Sequence, residues 1–258
     1  MIFKHLINIT PLNEQRRLHI YLPDHLPANR KVPGLYMFDV QNLFEDEEAT
    51  YGKSWGLRDY LESTGLPLCV VGLECNHRGN LRLWEFSPYD FSDPEWGEVH
   101  GQGEILMDWM SGELKVWVDQ HLPVLSDRRY TFIGGSSMGG LMALFAGSCY
   151  SSVYSRAVCL SPYLTRVMEP LCQDLQTAWI HPDTELYISW GGMETDSQQS
   201  LAQVTADNLS VARILQPHAK VDLVCFPEGT HCEACWEEET PVWMEQLQII
   251  DRCWEEEV

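Results

Sequence analysis

A glycine-rich turn in the middle of the chain contains the residues best suited to nucleophilic chemistry. Residues 133–140 hold a G-x-S-x-G pattern centred on Ser137. Small residues two positions before and after a serine allow a sharp strand-to-helix turn, which brings the N-terminus of the helix toward the serine hydroxyl. There the backbone N–H of Met138 could stabilise an oxyanion. Ser136 has no glycine two positions later. Ser137 is therefore the predicted nucleophile. The alternative is that this segment is a glycine-rich turn that only connects a strand to a helix.

Two histidines downstream of this turn are candidates for the base that takes the serine proton. In folds built around such a turn, the chain order is serine, then acid, then histidine. His218 lies just before the apolar run 220–226, and His231 lies in the loop that follows it. A base must lie at the end of that loop to reach the hydroxyl. The sequence therefore favours His231 as the base over the alternative of an ordinary surface histidine.

The acid that orients the histidine should follow the preceding strand. Residues 185–190 form an apolar run, and Glu194 and Asp196 come shortly after it. Either carboxylate could hold the imidazole and stabilise its cation. Glu194 is the preferred acid, because Asp196 precedes a predicted helix and is well suited to cap it.

Alternating apolar runs and amphipathic stretches predict the elements that position these groups. Strands are expected at 17–22, 34–38, 68–73, 130–133, 156–160, 185–190 and 220–226. Helices are expected at 103–120, 141–146, 198–215 and 241–254, the last with Pro241 in its first turn. Nearly continuous apolar strands suit a parallel sheet that is covered on both faces. The pattern predicts an α/β sandwich of three layers.

Composition limits the classes of partner that the chain can have. The 258 residues suit a single α/β domain over 1–258, and a hydrophobic content of 45% is enough for a sizeable core. The formal net charge of -21 repels nucleic acid and anionic membrane surfaces. No secretory signal or long apolar run is visible, and nine scattered cysteines indicate reduced thiols in the cytoplasm. The expected partner is a small molecule.

Four blocks of the sequence resemble an esterase family that includes esterase D, enterochelin esterases, feruloyl esterases and mycolyltransferases. The blocks are Y-M-F-D-V-Q-N-L-F at 36–44, E-F-S-P-Y at 85–89, G-S-S-M-G-G-L at 135–141, and G-T-H at 229–231 followed by Trp236. They are jointly specific and extend over nearly the whole chain. The resemblance implies an α/β-hydrolase fold with a mostly parallel sheet. It also implies hydrolysis of a carboxylic ester through an acyl-enzyme, with no cofactor and no metal.

The resemblance further implies roles for individual residues. It makes Ser137 and His231 catalytic and places Glu194 at the acid position of the family. It puts a second oxyanion amide at the start of the block around Asp39, at Val40. The family usually has glycine at that position. A backbone N–H survives the change to valine, but a side chain is expected to crowd the oxyanion site.

Two arginines come before the E-F-S-P-Y block. Arg78 and Arg82 lie at the start of the aromatic and polar stretch 78–98, which is expected to frame a substrate pocket as it does in related esterases. Guanidinium groups there could bind a carboxylate, a catecholate or a polar acyl group. The alternative is structural pairing with Glu85 or Asp90.

Other functions fit parts of the sequence. Cys232 and Cys235 form a C-x-x-C pair next to His231, but no second half-site completes a zinc site. An acyltransferase would use the same acyl-enzyme with an acceptor other than water. A catalytically silent binding module is a third alternative, and the intact serine, acid and histidine order argues against it. The ester stays open among siderophore, carbohydrate and simple acyl esters, as does assembly into a homo-oligomer.

Overall fold

The chain folds around one large β-sheet. The computed structural model describes residues 1–24, 26–27 and 29–254, and the acidic run 255–257, expected to be a solvated tail, lies outside them. The strands are β1 (Ile2–Ile9), β2 (Glu14–Tyr21), β3 (Gly34–Phe38), β4 (Cys69–Leu73), β5 (Phe91–Asp93), β6 (Gly97–Val99), β7 (Thr131–Ser136), β8 (Arg156–Leu160), β9 (Glu185–Gly191) and β10 (Lys220–Phe226). Within the described part, eight of them form the large sheet in the order β1-β2-β4-β3-β7-β8-β9-β10.

The sheet is parallel except at one side. β2 is antiparallel to both β1 and β4, whereas each neighbouring pair from β4 to β10 is parallel. The short strands β5 and β6 form a separate antiparallel pair. Because the carboxyl ends of parallel strands meet at one edge of a sheet, the loops after β3, β4, β7, β9 and β10 are gathered there.

Helices cover the sheet on both faces. They are α1 (Leu57–Thr64), α2 (Leu81–Glu85), α3 (Gly103–Trp109), α4 (Lys115–His121), α5 (Met138–Cys149), α6 (Met168–Thr177), α7 (Gln198–Leu215), α8 (Glu233–Gln246) and α9 (Ile249–Trp254). No helix in the described ranges is both long enough and apolar enough to cross a bilayer.

Two buried clusters show how the layers are built. Successive side chains of a strand point to opposite faces, and on β3 Leu35 and Met37 belong to one cluster while Tyr36 and Phe38 belong to the other. The first cluster includes residues of α1, α8 and α9, and the second includes residues of α3 to α7. The predicted three-layer α/β fold with a mostly parallel sheet is therefore confirmed.

The helix that follows the glycine-rich turn lies in the centre of the second layer. α5 is buried from Met138 to Ser148, and its contacts fall mainly on β7 and β8. A helix that is apolar on all sides belongs inside the protein. Its N-terminus is consequently fixed at the edge of the sheet where the loops gather.

Two predicted elements need correction, and an edge strand had been missed. Pro241 does not begin the last helix but lies inside α8, and the chain then continues into α9. The predicted helix 103–120 is interrupted by a π-helical segment at Met110–Leu114. β1 had not been predicted, because this edge strand is mostly exposed and its sequence alternates poorly between apolar and polar residues.

Candidate active site

Ser137 lies at the turn between β7 and α5 in a conformation that L-residues rarely adopt. Its φ is 56° and its ψ is -120°. Its N–H donates to the carbonyl of Leu160 on β8 at 2.9 Å, and its own carbonyl accepts from the N–H groups of Leu141 at 3.0 Å and Tyr163 at 3.1 Å. A positive φ at serine is unfavourable and persists where the surroundings impose it. The neighbouring strand and helix impose it here.

Glycines on both sides allow this turn to close. A Cβ at Gly135 would lie 2.7 Å from the backbone of Gly139, and a Cβ at Gly139 would lie 2.9 Å from the Cβ of Phe38. Only glycine permits such close approach without displacing the neighbouring chain. The small residues of the G-x-S-x-G pattern are thus required by the packing of the turn against α5 and β3.

His231 and Glu194 come together from two separate loops. His231 lies between β10 and α8, and its Nδ1 is 3.4 Å from Oε2 of Glu194. The side chain of His231 is 38% exposed, whereas that of Glu194 is 8% exposed. Asp196 is exposed, and Ser197 rather than Asp196 caps α7. Of the two candidate acids, the structure brings Glu194 to the imidazole.

Close backbone packing holds these two loops together. A Cβ at Gly191 would lie 2.1 Å from the carbonyl oxygen of Gly229, and a Cβ at Gly192 would lie 2.4 Å from that of Pro227. The N–H of Met193 donates to the carbonyl of Gly229 at 2.9 Å. The glycines therefore set the separation of the loops, and with it the separation of Glu194 and His231.

The carboxylate of Glu194 is held in its charged form by hydrogen bonds. Burial opposes its ionisation, but hydrogen bonds from His231, from Ser161 and from the N–H of Gly191 outweigh burial and lower the pKa of Glu194. Ser161 in turn accepts a hydrogen bond from the indole N–H of Trp236 at 3.1 Å. The Trp236 ring also lies edge-on to His231, with centroids 5.2 Å apart. Trp236 consequently supports both members of the pair.

Ser137 and His231 line the same cavity, whose volume is about 490 Å³. Its wall is formed by loops after β3, β4, β7 and β10 and by the first turns of α2 and α8, with Gln41, Tyr51 and Arg82 among the lining residues. A crevice at the carboxyl ends of parallel strands is the usual ligand site of such sheets. A space of this size accommodates a small or medium ligand.

Neither of the two predicted oxyanion residues, Met138 and Val40, is a lining residue of the cavity. Met138 is the first residue of α5, where backbone N–H groups have no partner within the helix. Val40 is fully buried and does not line the cavity, because its side chain fills the space over Gly72, where a Cβ would lie 2.0 Å from Val40 Cγ2. The side chain of Val40 therefore packs against β4 and does not narrow the cavity. The next residue, Gln41, lines the cavity instead.

The two predicted substrate-binding arginines have different surroundings. Arg82 lines the cavity, but its Nε and Nη2 donate to Asp39 Oδ1 and Oδ2 at 2.8 and 2.6 Å. Arg78 is not a lining residue, and its exposed guanidinium pairs with Glu14. The suggested pairing with Glu85 or Asp90 is not what the structure shows, because Glu85 is bound by Arg16 at 2.8 Å.

Several lining residues had not been singled out from the sequence, and Gln41 and Tyr51 are two of them. Gln41 lies within the block 36–44 that carries the family resemblance, which is a usable signal. Tyr51 is 80% exposed and still lines the cavity. Its neighbours form a polar loop without a recognisable pattern, so no signal in the sequence marks it.

Comparison with protein families identifies the chain. Residues 9–215 match the family described as "Putative esterase". The chain belongs to this family. The esterase is accordingly an enzyme, as the sequence blocks predicted. No curated protein matches it in sequence.

Solved structures confirm the α/β-hydrolase fold of the esterase. A siderophore hydrolase, EstA from Aspergillus nidulans, superposes with a TM-score of 0.74 at 15% identity, covering 96% of this chain and 94% of its own. An IroE-like serine hydrolase from Shewanella oneidensis has a TM-score of 0.69 at 17% identity, covering 98% and 79%. The enterobactin esterase FES from Shigella flexneri has a TM-score of 0.71 at 17% identity, and the esterase spans 59% of its length. At these identities the likeness concerns the fold.

Proposed function

We propose that the esterase hydrolyses carboxylic esters through an acyl-enzyme formed on Ser137. The contact between His231 and Glu194 is the observation that carries this proposal. With Nδ1 facing a charged carboxylate, the imidazole is held in the tautomer whose Nε2 is free to accept a proton. The same carboxylate stabilises the imidazolium that forms once the proton is taken.

The proposed reaction has two stages, acylation of Ser137 and hydrolysis of the acyl-enzyme. His231 Nε2 takes the hydroxyl proton of Ser137 as its oxygen attacks the ester carbonyl, and the tetrahedral oxyanion accepts hydrogen bonds from backbone N–H groups. His231 then returns the proton to the departing alcohol. A water molecule, deprotonated by His231, attacks the acyl-enzyme, and the acid is released while Ser137 regains its proton.

The oxyanion donors proposed are the backbone N–H groups of Met138 and of the 40–41 turn. The sequence placed the second donor at Val40. Because Gln41 rather than Val40 lines the cavity, the N–H of Gln41 is the better candidate for this second donor. Asp39 begins this turn with a φ of 54°.

Hydrolysis is favoured over acyl transfer by the accessibility of the base. The imidazole of His231 is more than one-third exposed, so water can reach it once an alcohol has left. An acyltransferase must keep water from its acyl-enzyme. We therefore propose hydrolysis as the reaction, and the same exposure argues against a silent binding module that has no use for an accessible base.

The proposed substrate is a small or medium ester rather than a macromolecule. The cavity volume suits such a ligand, and the exposed ring of Tyr51 offers a stacking surface at the wall. Solved structures of similar fold include enzymes whose names refer to siderophores and ferulic acid, which makes aromatic acyl and siderophore esters the first to test. The large acidic excess argues against nucleic acid and anionic membranes as partners.

The proposal is tested by covalent labelling and by a substrate panel. A fluorophosphonate should label wild-type protein at Ser137, and Ser137→Ala should remain unlabelled. p-Nitrophenyl esters of graded chain length, together with feruloyl, acetyl-sugar and catecholate-siderophore esters, should identify the acyl group. Labelling of wild-type and Ser137→Ala proteins to the same extent would exclude Ser137 as the nucleophile.

A further inference from the structure

Two thiols lie side by side in the segment that carries His231. Sγ of Cys232 is 3.7 Å from Sγ of Cys235, and Cys232 lines the cavity immediately after His231. A disulfide requires a separation of about 2.05 Å, so the two sulfurs need to approach each other by less than 2 Å. The proposed esterase mechanism uses neither thiol.

The surroundings of Cys232 favour its thiolate. Burial opposes ionisation, but hydrogen bonds from the hydroxyl of Thr230 and from the backbone N–H groups of Cys235 and Ala234 lower the pKa of the Cys232 thiol. These N–H groups belong to the first turn of α8, where the helix dipole also favours negative charge. A thiolate is the form that attacks a disulfide.

The remaining cysteines lack this environment. Burial raises the pKa of each of the seven others, which are Cys69, Cys75, Cys149, Cys159, Cys172, Cys225 and Cys253. Metal binding is a weaker reading of the pair, because the described residues contain no group of three or more His, Cys, Asp or Glu side chains arranged around a common point. The geometry favours a reaction between the two sulfurs.

We propose that Cys232 and Cys235 form a reversible disulfide in the wall of the cavity by exchange with a low-molecular-weight disulfide such as glutathione disulfide. The Cys232 thiolate attacks one sulfur of glutathione disulfide and releases one glutathione thiolate. Cys235, having lost its proton to solvent, then attacks Cys232 Sγ in the mixed disulfide and releases the second glutathione. The two protein thiols are oxidised by two electrons, and one glutathione disulfide is reduced to two thiols.

Closure of this bond changes the position of His231. The hydroxyl of Thr230 contacts both sulfurs, at 3.2 and 3.3 Å, and its N–H donates to Cys235 Sγ at 3.2 Å. Thr230 and Cys232 flank His231 in the chain, so moving the sulfurs together shifts the backbone on both sides of the base. This consequence rests on the proposed function and predicts a lower kcat in the oxidised esterase.

Mass spectrometry tests the disulfide without requiring turnover. Protein is equilibrated with buffers of increasing glutathione disulfide, quenched in acid, alkylated with N-ethylmaleimide and digested. We expect a peptide that links Cys232 to Cys235, reversible by dithiothreitol, while the exposed Cys225 remains largely alkylated. Cys235→Ser should stop at a glutathione adduct on Cys232, and Cys225→Ser should behave as wild type. Alkylation of Cys232 and Cys235 to the same extent as Cys225 in every buffer would overturn the proposal.

Activity of the same samples tests the effect on His231. We expect kcat to fall in proportion to the fraction of linked peptide and to recover with dithiothreitol. The kcat of Cys232→Ser should not change with glutathione disulfide. Unchanged kcat in fully linked protein would overturn the coupling to the base. The disulfide is detected by mass and does not require activity. The absence of Ser137 labelling in reduced protein would therefore refute the esterase proposal without affecting the disulfide proposal.

Discussion

The guanidinium of Arg82 donates to both carboxylate oxygens of Asp39, 43 residues earlier in the chain. Asp39 is buried and has a positive φ, and the 40–42 turn that borders the cavity follows it. A two-point contact of this kind fixes orientation as well as charge. Arg82, which the sequence suggested for substrate binding, therefore also holds the cavity wall in place.

Removing this arginine should destabilise the protein. Arg82→Ala leaves the buried carboxylate of Asp39 without its cation, and we expect the free energy of unfolding to fall by about 3 kcal/mol. Arg78→Ala is the matched control, because its exposed pair with Glu14 contributes no more than about 1 kcal/mol. Urea denaturation compares the two, and equal losses would show that Arg82 has no special role.

Substitutions of Ser137 should separate catalysis from strain. Ser137→Ala is expected to lower kcat by a factor on the order of 10⁴–10⁶. Ser137→Gly should be equally inactive but more stable than Ser137→Ala by about 1 kcal/mol, since glycine adopts a φ of 56° without strain. Steady-state kinetics and urea denaturation measure both effects. Near-normal turnover in either variant would exclude Ser137 as the nucleophile.

The acid is identified by comparing two carboxylates. Glu194→Gln removes the charge that faces His231, and kcat should fall by roughly 10³–10⁴. Asp196→Asn should stay close to wild type, because Asp196 is exposed and lies beyond the contact with the imidazole. Initial rates on one p-nitrophenyl ester suffice. A larger loss in Asp196→Asn would reverse the assignment.

The close packing of the loops after β9 and β10 gives another test. A methyl group at Gly191 meets the carbonyl oxygen of Gly229, so Gly191→Ala should separate the loops, reduce stability by about 1–3 kcal/mol and lower kcat by about 10²-fold. Gly112→Ala is the control, since nothing lies within 4 Å of its added Cβ. Wild-type kcat in Gly191→Ala would show that the loops adapt without moving Glu194.

Glu239 should make stability depend on pH. This carboxyl is buried and accepts a hydrogen bond from Ser189 at 2.5 Å, and burial raises its pKa from 4.5 to about 7. The folded protein therefore holds a proton that the unfolded chain releases between pH 4.5 and about 7. The contribution of Glu239 to the free energy of unfolding is fully present below this window. It is lost as the pH rises through the window, and the loss amounts to at most about 3 kcal/mol.

The variant Glu239→Gln isolates this effect, because the amide does not ionise. We expect the difference in unfolding free energy between the variant and the wild type to shift in favour of the variant from pH 5 to pH 8. Urea denaturation at four pH values measures it. A difference that stays constant over this range would mean that Glu239 is ionised throughout.

Local sequence predicted much of this architecture. The strands at 34–38, 156–160 and 220–226 and the helix at 198–215 have the predicted bounds. The apolar runs of β3 and β8 match their complete burial, whereas β10 lies at the edge of the sheet and has no fully buried residue. The end of the chain was predicted less well, since Pro241 favours a helix start on local grounds but lies within α8, where tertiary packing of residues such as Trp236 and Trp243 decides.

The partners of the site residues depend on contacts between distant parts of the chain. The serine turn has a recognisable local pattern. The expected chain order of serine, acid and histidine limits the candidates for the acid and the base to a few residues. The choice between Glu194 and Asp196 depends on how the loops after β9 and β10 pack. The different uses of Arg78 and Arg82 likewise depend on Glu14 and Asp39, which are far away in sequence.

The cavity wall draws on residues from Gln41 to Trp236, and this has a consequence for biosynthesis. The serine turn emerges from the ribosome well before β10 and α8, which bring the imidazole. Under the proposed mechanism, a nascent chain that has folded only through α7 has Ser137 but lacks His231, the residue proposed to deprotonate it. Ester cleavage under this mechanism requires the last strand and α8 to be in place, so the growing polypeptide would not cleave esters around it before then.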